Sequence, residues 1–315
     1  MSSFRDAVLV DAAPGNWVDR WAPRMARPYL KLMRADRPIG TWLLLIPCLW
    51  AQGLAEIATG AGAPNLWFLV LFAIGAFVMR GAGCTYNDIV DRHYDARVAR
   101  TALRPIPAGL VTARQAFVFA IALSLVGFVV LIQFNLTTVI VGIGSLGLIA
   151  IYPFMKRVTH WPQAVLGLTF KWGALVGWTA VTGSLGLPML ALYVACILWT
   201  IGYDTIYAHQ DKEDDAVLGL KSTALKFGEQ TKPWLVGFYV AALATMGVAA
   251  VLAGATRGPV LAGLVLAALH GAWQIRTLDI SDAQNCLQRF RSNRDLGLIV
   301  YGAMVIEMML GPARL

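Results

Sequence analysis

Long stretches of the chain carry no charge. Lys, Arg, Asp and Glu are all absent from 38–55, 57–79, 115–155, 158–170, 172–203, 233–256, 258–275 and 296–306. About 20 apolar residues in a helix cross the ~30 Å of hydrocarbon in a bilayer, so 115–155 and 172–203 are each long enough for two crossings. Gln133-Phe134-Asn135 divides the first and Gly183-Ser184-Leu185-Gly186-Leu187-Pro188 the second, and both are turn chemistries. The pattern therefore predicts nine membrane helices, near 38–56, 66–86, 114–133, 137–154, 163–182, 188–205, 233–254, 258–276 and 295–312. The fold class is all-α integral membrane, with a transmembrane domain over 38–315 behind a cytoplasmic or interfacial N-terminal segment, 1–37.

Composition agrees. Of the 315 residues 58% are hydrophobic and 14% charged, against roughly 45–50% and about 25% in soluble domains. So few charges cannot cover a soluble surface, which excludes a cytosolic enzyme, a disordered protein and a nucleic-acid-binding domain despite the net charge of +8. Residues 1–30 lack the apolar core of a cleaved signal peptide. Cys48, Cys84, Cys196 and Cys286 lie far apart without metal-ligand spacing, which predicts neither a zinc site nor a disulfide. Lys and Arg concentrate in the N-terminal segment and in every second connection, placing these and the N-terminus in the cytoplasm. Trp17-Val18-Asp19-Arg20-Trp21 reads equally as the start of an interfacial helix or as part of a basic tail.

Polar density gathers in two of those connections. Asn87-Asp88-Ile89-Val90-Asp91-Arg92-His93-Tyr94-Asp95 begins where the second predicted span ends, and a helix there puts Asp88, Asp91 and Asp95 within about 60° of one face. Three like charges on one face call for a cation, and oxygen ligands favour Mg²⁺ over Zn²⁺. Tyr203-Asp204 through Asp215 follows the sixth span; if its helix continues, Asp204, Asp211 and Asp215 share a face within about 40°. Two such faces on one membrane side can hold Mg²⁺ between them, with a diphosphate as bridging ligand. Solvated charges paired with Arg92, Arg97 and Lys212 are the alternative. Two matched clusters in a charge-poor chain weigh against it, because an acidic residue costs about 2.5–3.5 kcal/mol at a membrane-helix centre. Arg80 and Lys171 fall inside predicted spans, so each needs a buried anionic partner, unless Lys171 snorkels. Arg34, Arg37, Arg100, Arg104, Lys156, Arg157 and Lys212 are candidate phosphate contacts, although topogenic charge explains most of them. His93 and His209 read as structural.

Asn87-Asp88-x-x-Asp91-x-x-x-Asp95, followed by Arg100-Thr101-x-x-Arg104-Pro105, resembles the first aspartate-rich signature of the UbiA membrane prenyltransferase superfamily. Tyr203-Asp204-Thr205-Ile206-Tyr207-Ala208-x-x-Asp211-x-x-Asp214-Asp215 with Gly219-x-Lys221-Ser222-Thr223-Ala224 looks like its 4-hydroxybenzoate polyprenyltransferase branch, of ubiquinone biosynthesis. So do Arg34-x-Asp36-Arg37-Pro38-Ile39-Gly40, Met79-Arg80-x-Ala82-Gly83-Cys84 and Tyr152-Pro153-Phe154-x-Lys156-Arg157. The likeness runs from about residue 28 to 240. Lys171 departs from it, standing where a neutral residue is expected before Trp172-Gly173.

The resemblance implies a nine-helix bundle open to membrane lipid and a Mg²⁺-dependent transfer of a polyprenyl group from polyprenyl diphosphate to 4-hydroxybenzoate. It implies Asn87, Asp91, Asp95, Asp211 and Asp215 as metal ligands, and Asp88, Asp91, Asp204 and Asp211 as catalytic carboxylates. Arg34, Arg80, Arg104, Lys156, Arg157 and Lys212 become substrate contacts. The expected location is a bacterial inner membrane, with the active site facing the cytoplasm. A superfamily enzyme with another acceptor, or a cation transporter, are the competing readings; transporter ion sites usually sit at the bilayer midplane on broken helices, not at helix ends.

Overall fold

The computed structural model describes residues 15–98 and 101–311. Within them the chain is helical, with no strand: α1 (Trp17–Trp21), α2 (Arg27–Leu32), α3 (Ile39–Ala58), α4 (Leu66–Asp95), α5 (Ala113–Leu131), α6 (Leu136–Ile151), α7 (Met155–Val158), α8 (Pro162–Phe170), α9 (Gly173–Thr182), α10 (Leu187–Ala208), α11 (Lys212–Val217), α12 (Thr223–Phe227), α13 (Thr231–Leu252), α14 (Pro259–Arg276), α15 (Ala283–Arg291) and α16 (Asn293–Met309). Among the described residues, seven helical stretches are long and apolar enough to cross a membrane: Ile39–Ala58, Leu66–Asp95, Ala113–Leu131, Leu136–Val158, Pro162–Thr182, Leu187–Val217 and Thr223–Leu252. The chain is a multi-pass membrane protein. Helices α14 and α16 occupy the last two predicted spans. They are not among the seven: α16 has 17 residues, and α14 carries His270, Gln274 and Arg276 in its final two turns.

The predicted breaks lie where turn chemistry placed them. Asn135 caps α6, its Oδ1 accepting from Thr138 N at 3.0 Å, while its Nδ2 donates to the Thr179 carbonyl at 2.8 Å. Gly183 ends α9 at φ +66°, a left-handed conformation that glycine adopts without strain. Two features depart from the reading. The span predicted over 163–182 is interrupted at Lys171-Trp172, and α4 runs on to Asp95 instead of stopping near 86. Nothing in Tyr86–Asp95 breaks a helix, so falling hydropathy there marks the edge of the membrane, not the end of the helix. Thirty residues at 1.5 Å each span about 45 Å, well beyond the hydrocarbon.

The chain divides into two compact units, Met1–Trp42 with Ala73–Gln133, and Leu43–Phe72 with Phe134–Leu315. In the first, the segment from Trp17 onward is folded, not a loose tail. Asn16 caps α1, Trp17 donates Nε1–H to the Ala35 carbonyl at 2.8 Å, Lys31 pairs with Asp19 at 2.8 Å, and Val18 packs with Ala22, Met33, Ala35, Val78, Ala82 and Leu123. Thr112 and Gln115 form a reciprocal capping box at the start of α5.

In the second unit α10 packs against α8, α9 and α13, and α14 against α13 and α16. Trp50 donates Nε1–H to the Gly297 carbonyl at 2.9 Å. The Gly173-x-x-x-Gly177 pair lets α9 approach α3 at backbone distance: a Cβ at 177 would lie 2.5 Å from the Cys48 carbonyl oxygen. Outward faces are apolar, with Phe117, Val118, Leu125 and Val129 exposed on α5 and Leu136, Ile140, Ile143 and Leu146 on α6. Such faces suit lipid, not water.

Candidate active site

In the first unit, the last turns of α4 carry the first aspartate motif, and the helical period brings its three carboxylates to one buried face. Asp88, Asp91 and Asp95 are 0%, 1% and 6% exposed, a degree of burial that charges accept only with partners. Arg34 donates from Nη2 to Asp88 Oδ1 at 2.7 Å and from Nη1 to the Lys31 carbonyl at 3.0 Å. Arg104 donates from Nη1 to both Asp88 Oδ1, at 3.1 Å, and Asp95 Oδ2, at 2.8 Å. Burial works against the Arg34 charge, but Asp88, Cys84 and Asp36 together outweigh it and hold the guanidinium protonated above its usual range. Arg34 adopts φ +61°, so the Met33–Asp36 turn is strained to aim this side chain inward.

Asn87 donates from Nδ2 to Asp91 Oδ2 at 3.1 Å, which joins two of the expected metal ligands. Asp88 Oδ2 is buried and accepts no hydrogen bond. Among the described residues no three His, Cys, Asp or Glu side chains converge as a metal cage. Mg²⁺ does not need one, since it commonly binds through one or two carboxylates completed by substrate phosphate and water. The oxygen donors Asn87 and Asp91, with an under-satisfied buried carboxylate on the same face, fit that chemistry. Arg80 donates to Cys84 Sγ one turn along α4 and lies against Gly40, where any side chain would meet the guanidinium. Arg100 lies outside the described residues.

The second motif belongs to the other unit, and the helix does not continue unbroken through it. α10 ends at Ala208, a 3₁₀ turn covers His209–Asp211, and α11 begins at Lys212. Three residues per turn replace 3.6 across this joint, which widens the spread of Asp204, Asp211 and Asp215 around the axis from about 40° to about 80°. Side chains of the motif and its partners elsewhere in the unit hold the joint. Buried His209 bonds Thr231 Oγ1 at 3.0 Å, Thr205 bonds Thr223 at 2.6 Å, and Gln163 Oε1 accepts from Thr223 N at 3.1 Å. Lys221 N donates to the Lys156 carbonyl at 2.8 Å, so the loop after α11 docks on the basic turn of Lys156 and Arg157. Asp204, Asp211, Lys212 and Asp215 are all half-buried, whereas Glu213 and Asp214 face out. Glu213→Ala should therefore leave turnover within about twofold of the parent in a membrane assay, as surface substitutions usually do.

Motif reading gave no role to Gln163, Thr205, Thr223 or Thr231, which carry no charge and whose contacts join positions far apart in sequence. Lys171 does not snorkel: it is fully buried, its ammonium donates to the Leu43 carbonyl at 2.6 Å, and the Asp204 charge acts on it from beyond ion-pair distance.

The chain matches the UbiA prenyltransferase family over residues 44–298. It is 51% identical over 286 residues to human mitochondrial 4-hydroxybenzoate polyprenyltransferase, covering 90% of this chain and 76% of the relative. The Arabidopsis thaliana enzyme of the same name is 46% identical over 305 residues, covering 96% and 73%. The fold resembles a UbiA homolog from Aeropyrum pernix, with TM-score 0.70 at 23% identity over 84% of this chain and 98% of the other. It also resembles an Archaeoglobus fulgidus homolog bound to GPP and Mg²⁺, with TM-score 0.65 at 20% identity over 89% and 99%. With half its residues shared with curated members across nine-tenths of its length, the chain belongs to the UbiA prenyltransferase family.

Proposed function

We propose that the protein transfers a polyprenyl group from polyprenyl diphosphate to a ring carbon of 4-hydroxybenzoate. The allylic C–O bond breaks, a C–C bond forms, diphosphate leaves and the ring loses a proton. The observation that carries this reading is the buried aspartate face of α4, flanked by Arg34 and Arg104, in a chain half identical to relatives named for that reaction.

Asn87, Asp91 and Asp95 from the first motif and Asp211 and Asp215 from the second are the proposed Mg²⁺ ligands. Mg²⁺ supplies neutralisation of charge on the departing diphosphate. Lys156, Arg157 and Lys212 contribute positive charge for phosphate oxygens. Asp88 positions Arg34 and Arg104, and Asp204 is the proposed acceptor of the ring proton. Arg34 already donates to Asp88 and to the Lys31 carbonyl, so Arg80 is the proposed holder of the acceptor carboxylate, its planar fork orienting the ring.

The concentration of Lys and Arg in the N-terminal segment and in every second connection supports a cytoplasmic or matrix-facing site by the positive-inside rule. The curated relatives are named as mitochondrial, which lends no support to a bacterial inner membrane; a multi-pass chain suits either.

Membranes containing the protein, given polyprenyl diphosphate and equal amounts of 4-hydroxybenzoate, homogentisate and dihydroxynaphthoate, should yield mainly C-prenylated 4-hydroxybenzoate by mass spectrometry. Preferential prenylation of an acceptor without a carboxylate on a phenol ring would reject the substrate while leaving the family intact.

A further inference from the structure

Pro47 lies inside α3. A proline has no N–H for the carbonyl four residues earlier, so the Leu43 carbonyl loses its helical donor. Within a membrane no water replaces that donor, and another side chain must. Lys171 does so. Its Nζ meets the Leu43 oxygen at 2.6 Å, from the break between α8 and α9, where the chain can turn its side chain inward.

A serine or threonine hydroxyl would have served as donor without burying a charge. Lys171 is 0% exposed and, among the described residues, has no carboxylate within ion-pair distance. Against its ammonium lie the Trp199 ring at 4.6 Å and the Tyr203 ring at 5.1 Å, and the Asp204 charge acts on it from beyond ion-pair distance. Both rings belong to α10, and they meet edge to face at 5.1 Å. Trp199 is anchored on its other sides, donating Nε1–H to Asn293 Oδ1 at 2.9 Å and lying 4.9 Å from the Trp50 ring. Tyr203 immediately precedes Asp204. The ammonium thus joins the Pro47 turn of α3 to the turn of α10 that carries the first carboxylate of the second motif. Cation–π attraction is strongest where water is excluded, as here.

We propose that Lys171 is a positioning residue for the second aspartate motif: by capping the carbonyl that Pro47 orphans, it holds a charge against Trp199 and Tyr203 and fixes the α10 turn bearing Asp204. The proposal rests on the prenyl-transfer reading for its kinetic consequence, and not for its structural one.

The test separates the hydrogen bond from the charge. Lys171→Gln keeps a donor for the Leu43 carbonyl and removes the cation. Pro47→Ala with Lys171→Met returns a backbone donor to Leu43 and also removes the cation. Both full-length variants are purified in lipid nanodiscs and compared with the parent by amide hydrogen exchange and prenyl-transfer kinetics. In both, exchange across 43–51 should match the parent, while exchange across 199–208 should accelerate about tenfold. The kcat should fall at least fivefold in each, with KM for the aromatic acceptor within twofold.

Parental kcat and parental exchange across 199–208 in Lys171→Gln would overturn the proposal. So would recovery of parental kcat in the Pro47→Ala, Lys171→Met protein, which would confine Lys171 to capping α3. Loss of protection in both segments together would assign it to holding the fold alone, and would overturn the proposal equally. A parent protein inactive in prenyl transfer would strike the reaction itself, while the exchange comparison would still decide the role of Lys171.

Discussion

Asp91→Ala and Asp215→Ala are each expected to lower prenyl transfer by about a thousandfold or more, which corresponds to roughly 4 kcal/mol of lost transition-state stabilisation. The reason is where charge develops. Ionisation of an allylic diphosphate places negative charge on the leaving group, and a Mg²⁺ ligand acts on that charge more strongly in the transition state than in the bound substrate. Asp91 is buried on the α4 face, where Asn87 donates to it at 3.1 Å. Steady-state assays at saturating and at limiting Mg²⁺ check this. Near-parental rates in both variants would remove the metal from the account.

Asp88→Asn should fail differently, through the fold as well as the rate. Asp88 Oδ1 receives Arg34 at 2.7 Å and Arg104 at 3.1 Å, and its side chain is fully buried. Neutralising it leaves two guanidinium groups in a dry site with half their compensation gone. Removing one partner of a buried ion pair typically costs about 3–5 kcal/mol. The expected result is a large drop in the thermal unfolding midpoint of the detergent-solubilised protein, together with loss of turnover. Normal stability with normal activity would show that the Arg34–Asp88–Arg104 cluster does not support the first motif.

The contrast between these two aspartates marks what sequence reasoning can reach. That Asp88, Asp91 and Asp95 share a face follows from the helical period alone, and they do share one. Which of them is committed to arginines does not follow, because Arg34 is 54 residues from Asp88 and nothing local encodes their meeting. Turn chemistry located the breaks at Gln133–Asn135 and at Gly183–Pro188, since Asn caps and Gly in a left-handed conformation act over a few residues. The break at Lys171 carries no such signal: Leu168-Thr169-Phe170-Lys171-Trp172 has no glycine or proline. Whether the helix continues from Asp204 to Asp215 is not legible locally, because His209 is drawn to Thr231, a contact between elements 22 residues apart. For Lys171 a lone lysine in an apolar run suggests either a buried anion or a path to the interface. Its actual partner is a backbone carbonyl whose need arises at Pro47, in another helix.

The central claim is that this chain couples loss of diphosphate to prenylation of a carboxylated phenol with the help of Mg²⁺. Its most direct test is a stoichiometry measured on the purified protein in lipid, supplied with polyprenyl diphosphate and 4-hydroxybenzoate. Diphosphate released and C-prenylated 4-hydroxybenzoate formed should appear in equal amounts, both should stop on addition of EDTA, and both should return with excess Mg²⁺. Diphosphate release without ring prenylation, or product formation undiminished in EDTA, would contradict it.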